Sequence, residues 1–228
     1  MSGVDIQSFN AFGGGAPFLN RFNTPFSSLS QVIDDYVYIG SIGRDLSVAG
    51  GVLTFGASPA GNELQVFTPN TIAVGNRDQY VQMRYAANGG TAANPTRPCW
   101  FVFSKGQNDQ HVSDVNFSGY TFIVRNEPAN NDALLLKTGG TWVTGGIATL
   151  ATLATVAIPA IGDDVRVEAR RVNGGVDTQI TIKYNGTVIT TVTDAPGFVR
   201  GVPGFGSRGN NSNVTTFGFS LPDIGQLR

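Results

Sequence analysis

The sequence predicts an all-β protein, a sandwich of antiparallel strands with an extended arm in front of it. Short segments of alternating apolar and polar residues recur from Gln31 onward, and turn-forming residues separate them, in a chain with 30 Gly and 11 Pro. No marked linker or repeat divides this part. We therefore predict an arm over residues 1–30 and a single β-sandwich domain over residues 31–228.

The composition and the net charge exclude several classes of function. The 228 residues carry a net charge of −1, so no electrostatic force draws the chain to nucleic acid or to an anionic membrane, and we expect neither as a partner. One Cys and one His exclude a disulfide framework and a Cys/His zinc site. The first residues show no signal-peptide pattern, and no apolar run of about 18 residues could span a bilayer. We expect a cytoplasmic protein if it is not part of a virion.

The arm is rich in phenylalanine. Its five Phe residues are interleaved with Gly and Pro and follow no strand or helix period; they are Phe9, Phe12, Phe18, Phe22 and Phe26. Burying each ring is worth about 1.5–3 kcal/mol, so the arm must lie on an apolar surface. That surface is either its own domain or a neighbouring subunit. We predict the second, which makes these residues partner-binding and the protein a homo-oligomer or a subunit of an assembly.

Three segments show strand patterns. Val81, Met83 and Tyr85 alternate with polar residues, which indicates a half-buried strand. The run from Cys99 to Phe103 is apolar on both faces and predicts an interior strand that includes Trp100. Further on, Tyr120, Phe122 and Val124 share one face of another strand.

The clearest region is a pair of hairpins built from DVRVEARRV, DTQITIKY and TVITTVT. Asn173-Gly174-Gly175 separates the first two segments. Asn185-Gly186 separates the second two with the residues that a type I′ turn requires. These segments should form a three-stranded meander, and a last strand with Phe217, Phe219 and Leu221 on one face should close the domain.

The segment over residues 148–158 allows two interpretations. Leu150, Leu153 and Val156 are spaced by three, as in a helical stripe. Its Thr and Val content and the following Pro159 favour a strand instead. We expect strand or extended structure there, with a helix as the alternative.

The C-terminal half resembles a known family. The succession GDDVRVEARRV, ITIKYNGTVITTVTDA, GFVRGVPGFGSRG and VTTFGFS is similar to the concanavalin A-like jelly roll shared by laminin G-type domains, lectins and glucanases. The resemblance covers Gly119 to Leu221 and consists of strand and turn features. It implies a jelly-roll fold and makes surface glycans possible partners.

A whole-chain similarity points to bacteriophage virion proteins, such as head decoration, tail or fibre subunits. The features are richness in Gly, Asn and Thr, the Phe-bearing arm, and only three lysines, Lys105, Lys137 and Lys183. Our first hypothesis is therefore a structural virion protein attached through its arm. A soluble glycan-binding module is the alternative.

An enzyme is the third hypothesis and the least favoured. Glucanases of the resembled fold place a Glu-x-Asp-x-Glu cluster on one strand. Here the residues two places after Glu63, Glu127 and Glu168 are Gln, Ala and Arg. We expect no catalytic residues, although distant carboxylates could still meet in a hydrolase or lyase. Cys99 should be a core residue, and His111 a surface one.

Candidate glycan contacts are an aromatic ring and nearby amide and carboxylate groups. Trp142 lies between glycines, which leaves its ring little local cover, and Asn130, Asn131 and Asp132 offer polar partners. The same oxygens could hold calcium, but they lack the Asp-x-Asp-x-Asp-Gly spacing of a calcium loop. We expect no metal ion or other cofactor, with calcium as a possibility that no motif indicates.

Overall fold

The computed structural model describes residues 25–40, 46–55, 64–69, 75–88, 97–105, 116–127, 130–141, 149–208 and 217–227. One α-helix, one short 3-10 helix (Asn173–Gly175) and fourteen strands lie in these ranges. The α-helix and the strands are α1 (Leu29–Asp35), β1 (Tyr36–Gly40), β2 (Leu46–Ala49), β3 (Val52–Phe55), β4 (Leu64–Pro69), β5 (Gln79–Asn88), β6 (Pro98–Lys105), β7 (Asn116–Glu127), β8 (Asn130–Thr141), β9 (Thr149–Val156), β10 (Asp164–Val172), β11 (Asp177–Tyr184), β12 (Thr187–Asp194), β13 (Val202–Arg208) and β14 (Phe217–Gln226).

The strands form two seven-stranded antiparallel sheets. Sheet A has the order β1-β4-β13-β6-β7-β8-β9, and sheet B has the order β12-β11-β10-β5-β14-β3-β2. Non-consecutive strands are neighbours in both sheets, so pairing depends on long crossovers between the sheets. The predicted antiparallel sandwich is confirmed. In the described part of the chain, no helix is long and apolar enough to cross a bilayer.

One apolar core fills the space between the sheets. The predicted alternation on β5 is confirmed, because Val81, Met83 and Tyr85 all lie in this core. Aromatic rings pack at its centre, with the Trp100 and Phe219 centroids 5.1 Å apart. Such large rings make the greatest contribution to burial in a sandwich of this size.

Strand β6 is interior, as its apolar run predicts. Trp100 is fully buried between the sheets. Cys99 and Phe101 point the other way, into a second buried cluster on the outer face of sheet A with Val66, Phe117, Ile123 and Leu136. Both faces of β6 are therefore covered, and Cys99 is a core residue, as predicted.

The predicted meander is confirmed as β10-β11-β12. Its second turn has Asn185 at φ 50° and Gly186 at φ 80°, the two left-handed positions that a type I′ turn needs. The segment over residues 148–158 forms a strand, as expected, because β9 pairs with β8 at the edge of sheet A. Leu153 packs against the core, whereas Leu150 is 57% exposed.

The N-terminal boundary differs from the prediction. Helix α1 crosses the expected boundary at residue 30, and the Ser28 side chain caps it by accepting a hydrogen bond from the Gln31 N–H. Phe26 is only 3% exposed and lies in the core of its own domain, 6.2 Å from Phe205 between ring centroids. This ring is therefore not a partner contact. The other four residues of the predicted arm contact, Phe9, Phe12, Phe18 and Phe22, lie outside the described residues.

Candidate functional site

The outer faces of the two sheets differ in chemistry. The outer face of sheet A carries the second apolar cluster, which is buried. The outer face of sheet B carries charged and hydroxyl side chains from β5, β10 and β11 that remain partly exposed. A polar ligand would find partners mainly on sheet B, so this face is the candidate site.

The two-residue period of β10 explains how the face arises. Val165, Val167 and Ala169 point into the core, so Arg166, Glu168 and Arg170 point outward. In the pairing register Arg166 lies opposite Lys183 of β11 on one side and Gln82 of β5 on the other. Asp223 of β14 lies opposite Gln82. Side chains from four adjacent strands therefore meet above the sheet.

Five of these side chains form what we call the outer cluster: Tyr80, Arg166, Glu168, Lys183 and Asp223. Glu168 Oε1 accepts from Arg166 Nε at 2.7 Å and from Lys183 Nζ at 2.8 Å. Tyr80 donates its hydroxyl to Asp223 Oδ1 at 2.8 Å, and Arg166 Nη1 lies 3.7 Å from Asp223 Oδ2. Each charge is thus held in a defined position by at least one partner of opposite charge.

A further ion pair extends the cluster along the same strands. Arg84 binds Asp164 through two contacts, from Nε to Oδ1 at 2.9 Å and from Nη2 to Oδ2 at 3.2 Å. Arg84 lies two positions after Gln82 on β5, and Asp164 lies two positions before Arg166 on β10. The Arg84–Asp164 pair is therefore displaced from Gln82 and Arg166 by roughly 6.5–7 Å along the strands, since a strand rises about 3.3 Å per residue.

The environment moves the pKa values of the two carboxyls in opposite directions. Burial opposes ionisation of Glu168, but hydrogen bonds from Lys183 and Arg166 outweigh it and hold the pKa of Glu168 below its usual value. Burial raises the pKa of Asp223, and the hydrogen bond from Tyr80 only partly offsets this effect. Burial, together with the bond to Asp223, also raises the pKa of Tyr80. Glu168 is therefore ionised at neutral pH, where it holds two cations in place.

This arrangement can bind a ligand that both donates and accepts hydrogen bonds. The Arg166 and Lys183 side chains keep 20% and 25% of their surface exposed, and their remaining N–H groups are available as donors. Asp164, 31% exposed, is available as an acceptor. Because the partners are already in place, little side-chain entropy is lost when a ligand binds.

A metal ion requires several ligating groups close together. In the ranges that the structure describes, no group of three or more His, Cys, Asp or Glu side chains could hold one. The expectation that the protein holds no metal ion, with calcium as a possibility that no motif indicates, therefore stays a prediction, since residues outside these ranges are not tested.

Three of the four predicted glycan contacts lie in the described residues, at the start of β8. Asn130 and Asn131 begin β8, and Asp132 is held by Arg125 in a two-point ion pair with contacts of 2.7 and 2.6 Å. Trp142 lies outside the described residues, directly after Thr141, the last residue of β8. The grouping of Trp142 with Asn130, Asn131 and Asp132 in one glycan site therefore stays a prediction.

Sequence reasoning missed the outer cluster because its members are far apart in the chain. Tyr80 and Asp223, which share a hydrogen bond, are 143 positions apart. A local signal did exist: Arg166, Glu168 and Arg170 alternate on one strand of the predicted meander. That pattern could have predicted a charged outer face, although not its partners on β5 and β14.

Comparison with solved structures identifies the fold. A legume lectin-like domain from Entamoeba histolytica aligns over 91% of this chain and 96% of its own, at 12% identity and a TM-score of 0.58. The carbohydrate recognition domain of Emp46p, in a point-mutant form, aligns over 90% and 97%, at 10% identity and a TM-score of 0.58. A Bacillus subtilis protein of unknown function with a galectin-like fold aligns over 93% and 96%, at 15% identity and a TM-score of 0.58.

These likenesses define the class of fold, a concanavalin A-like antiparallel β-sandwich of the lectin type, which confirms the predicted jelly roll. Compared by sequence, the chain matches no protein-family model and no curated protein. The likeness is therefore one of architecture alone, and a function has to rest on the chemistry of the outer cluster.

Proposed function

We propose that this protein is a glycan-binding module and that it binds sugar on the outer face of sheet B. The outer cluster carries the proposal: five interlinked polar and aromatic side chains from four adjacent strands lie together on the outer face of sheet B. Isolated polar residues at these positions would be enough to keep the surface solvated. Instead, the five side chains form one rigid hydrogen-bonded group.

The chemistry of the face suits a sugar. Each hydroxyl of a sugar can donate one hydrogen bond and accept others, so its recognition needs fixed donors and acceptors side by side. Arg166 and Lys183 present donors, and the Arg84–Asp164 pair presents both kinds of group. Thr181 and Thr191, whose hydroxyl oxygens lie 3.1 Å apart, extend this polar row across β11 and β12.

The fold supports the same proposal. The domain from Entamoeba histolytica is described as legume lectin-like, and that of Emp46p as a carbohydrate recognition domain. Both align along nearly their whole length with this chain. Their sugars are not transferred to this protein, because the identities of 12% and 10% support only the architecture.

The other hypotheses from the sequence stay predictions. Attachment to a bacteriophage particle depends largely on the N-terminal segment, most of which lies outside the described residues. A virion location and a glycan-binding site are also compatible with each other. The absence of catalytic activity is likewise a prediction, which release of reducing ends from a panel of polysaccharides would contradict.

Binding to a glycan array, followed by titration calorimetry with the glycans that bind, tests the proposed function. Lys183→Met should weaken the affinity at least about fivefold, because it removes an exposed donor but keeps the apolar stem, and Glu168 retains Arg166 as its partner. Lys105→Met, at the end of β6 in sheet A, is the matched control and should change the affinity less than about twofold.

Two results would contradict the proposal. If no glycan on the array binds, the module is not a lectin. If glycans bind but Lys183→Met and Lys105→Met behave alike, the site does not lie on the outer face of sheet B. Circular dichroism of both variants establishes that they are folded.

A further inference from the structure

We infer that the glycan bound on the outer face of sheet B is acidic, carrying a carboxylate or sulfate group, and that Arg170 contacts this group. The inference rests on the proposed function and names the ligand class of the same site. Two independent observations carry it. The cations on this face are more exposed than the carboxylates that they pair with, and Arg170 has no partner among the described residues.

Among the described residues, ion pairs on this face link side chains of β5, β10, β11 and β14. In each of these pairs the cation is more exposed than the carboxylate. The exposed fractions of the two side chains are 41% and 31% for Arg84 and Asp164, 20% and 8% for Arg166 and Glu168, and 25% and 8% for Lys183 and Glu168. Asp223 is 11% exposed against 20% for Arg166. The carboxylates thus lie beneath and the cations above, so an approaching ligand first meets positive charge.

Arg170 is the outward residue that follows Glu168 on β10, opposite Gln179 of β11. Its side chain is partly exposed, and among the described residues it has no ion pair or hydrogen bond. A guanidinium offers five N–H donors in a planar fork that matches a carboxylate or a sulfate.

By the pairing register, Glu168, Asp177 and Asp78 lie at positions adjacent to Arg170, and each of these acids has another partner. Glu168 accepts from Arg166 and Lys183. Asp177 accepts from Asn173 at 2.6 Å. Asp78 accepts from the backbone N–H of Arg171 at 2.9 Å and from its side chain at 3.4 Å. No described acid competes with a ligand for the Arg170 guanidinium.

A neutral sugar would leave this guanidinium without a charged partner, whereas an acidic one gains a charge-assisted hydrogen bond. The attraction acts at a partly exposed surface, so salt should screen it. The affinity for the acidic glycan should therefore fall as NaCl rises, and the affinity for a neutral glycan should not.

The first experiment compares acidic glycans on the array with their neutral counterparts, sialylated with desialylated and sulfated with unsulfated. We expect at least about tenfold tighter binding of the acidic member of the pair that binds best, and a loss of this preference between 50 and 500 mM NaCl, a range over which the Debye length falls several-fold, on the order of 14 to 4 Å. Equal or tighter binding of the neutral members would overturn the inference while leaving the proposed function intact. If no glycan binds, the proposed function itself fails.

The second experiment uses Arg170→Gln, with Arg125→Gln as its matched control. Both remove one positive charge, but Arg125 belongs to β7 in sheet A, where it pairs with Asp132. We expect Arg170→Gln to weaken acidic-glycan binding at least about fivefold and neutral-glycan binding less than about twofold. Arg125→Gln should leave both unchanged. Equal losses in the two variants would show a general charge attraction and overturn the role of Arg170.

Discussion

The guanidinium carbon of Arg166 lies over the Tyr80 ring, 3.6 Å from its centroid. This cation–π stack covers the ring, which leaves Tyr80 only 5% exposed. The ring is therefore not free to stack on a sugar. Tyr80 instead positions two members of the outer cluster. Its hydroxyl donates a hydrogen bond to Asp223, and the Arg166 guanidinium packs on its ring.

Removing the Tyr80 hydroxyl should destabilise the protein. In Tyr80→Phe, Asp223 Oδ1 loses its 2.8 Å donor and stays buried, which costs about 1–3 kcal/mol. Tyr184→Phe is the matched control, because the Tyr184 hydroxyl bonds a backbone carbonyl, that of Ala157, in an exposed position. Urea unfolding measures both changes, and an equal or larger loss in Tyr184→Phe would contradict the importance of the Tyr80–Asp223 bond.

Glu168 should make stability depend on pH in the acid range. Its pKa in the folded protein is lowered from the ordinary value of 4.5, so its contribution is present above that value and is lost as pH falls through the folded pKa. The stability difference between the wild type and Glu168→Gln should therefore be larger at pH 7 than at pH 3. The raised pKa of Asp223 acts in the opposite direction but is common to both proteins. Urea unfolding at the two pH values tests this, and a constant difference would contradict it.

Phe26 should stabilise the domain itself rather than an assembly. Phe26→Ala leaves a cavity beside Phe205 in the core and should cost about 3–5 kcal/mol, visible as a lower melting temperature of the isolated protein. Phe22→Ala provides a comparison from the part of the chain outside the described residues. A Phe26→Ala variant with unchanged stability would restore the interpretation of Phe26 as a partner contact.

Gly186 should be required for the β11–β12 turn. It has φ 80°, and an added Cβ would meet no atom within 4 Å, so Gly186→Ala tests backbone strain without a steric clash. We expect a loss of about 1–2 kcal/mol. Thr187→Ala, at the exposed start of β12, should change stability much less in the same thermal unfolding experiment. Equal effects would show that the turn does not depend on a left-handed residue.

The sequence by itself determined the local features of this protein. The alternation of Val81, Met83 and Tyr85 predicts their burial, since a two-residue period places them on one face of a strand. Asn185-Gly186 predicts its turn because few residues accept positive φ at both positions. Each of these signals involves residues that are close in the chain, and the structure confirms both.

Outside the β10-β11-β12 meander, only the tertiary structure decided which strands lie side by side. It brought Asp223 next to Tyr80 across 143 positions of sequence, and it placed Phe26 in the core of its own domain rather than on a partner. The physical reason is that strand order is set by burial of the whole core, to which every strand contributes. Local patterns state which face of a strand is buried, but, except across a tight turn such as Asn185-Gly186, they do not state which strand lies beside it.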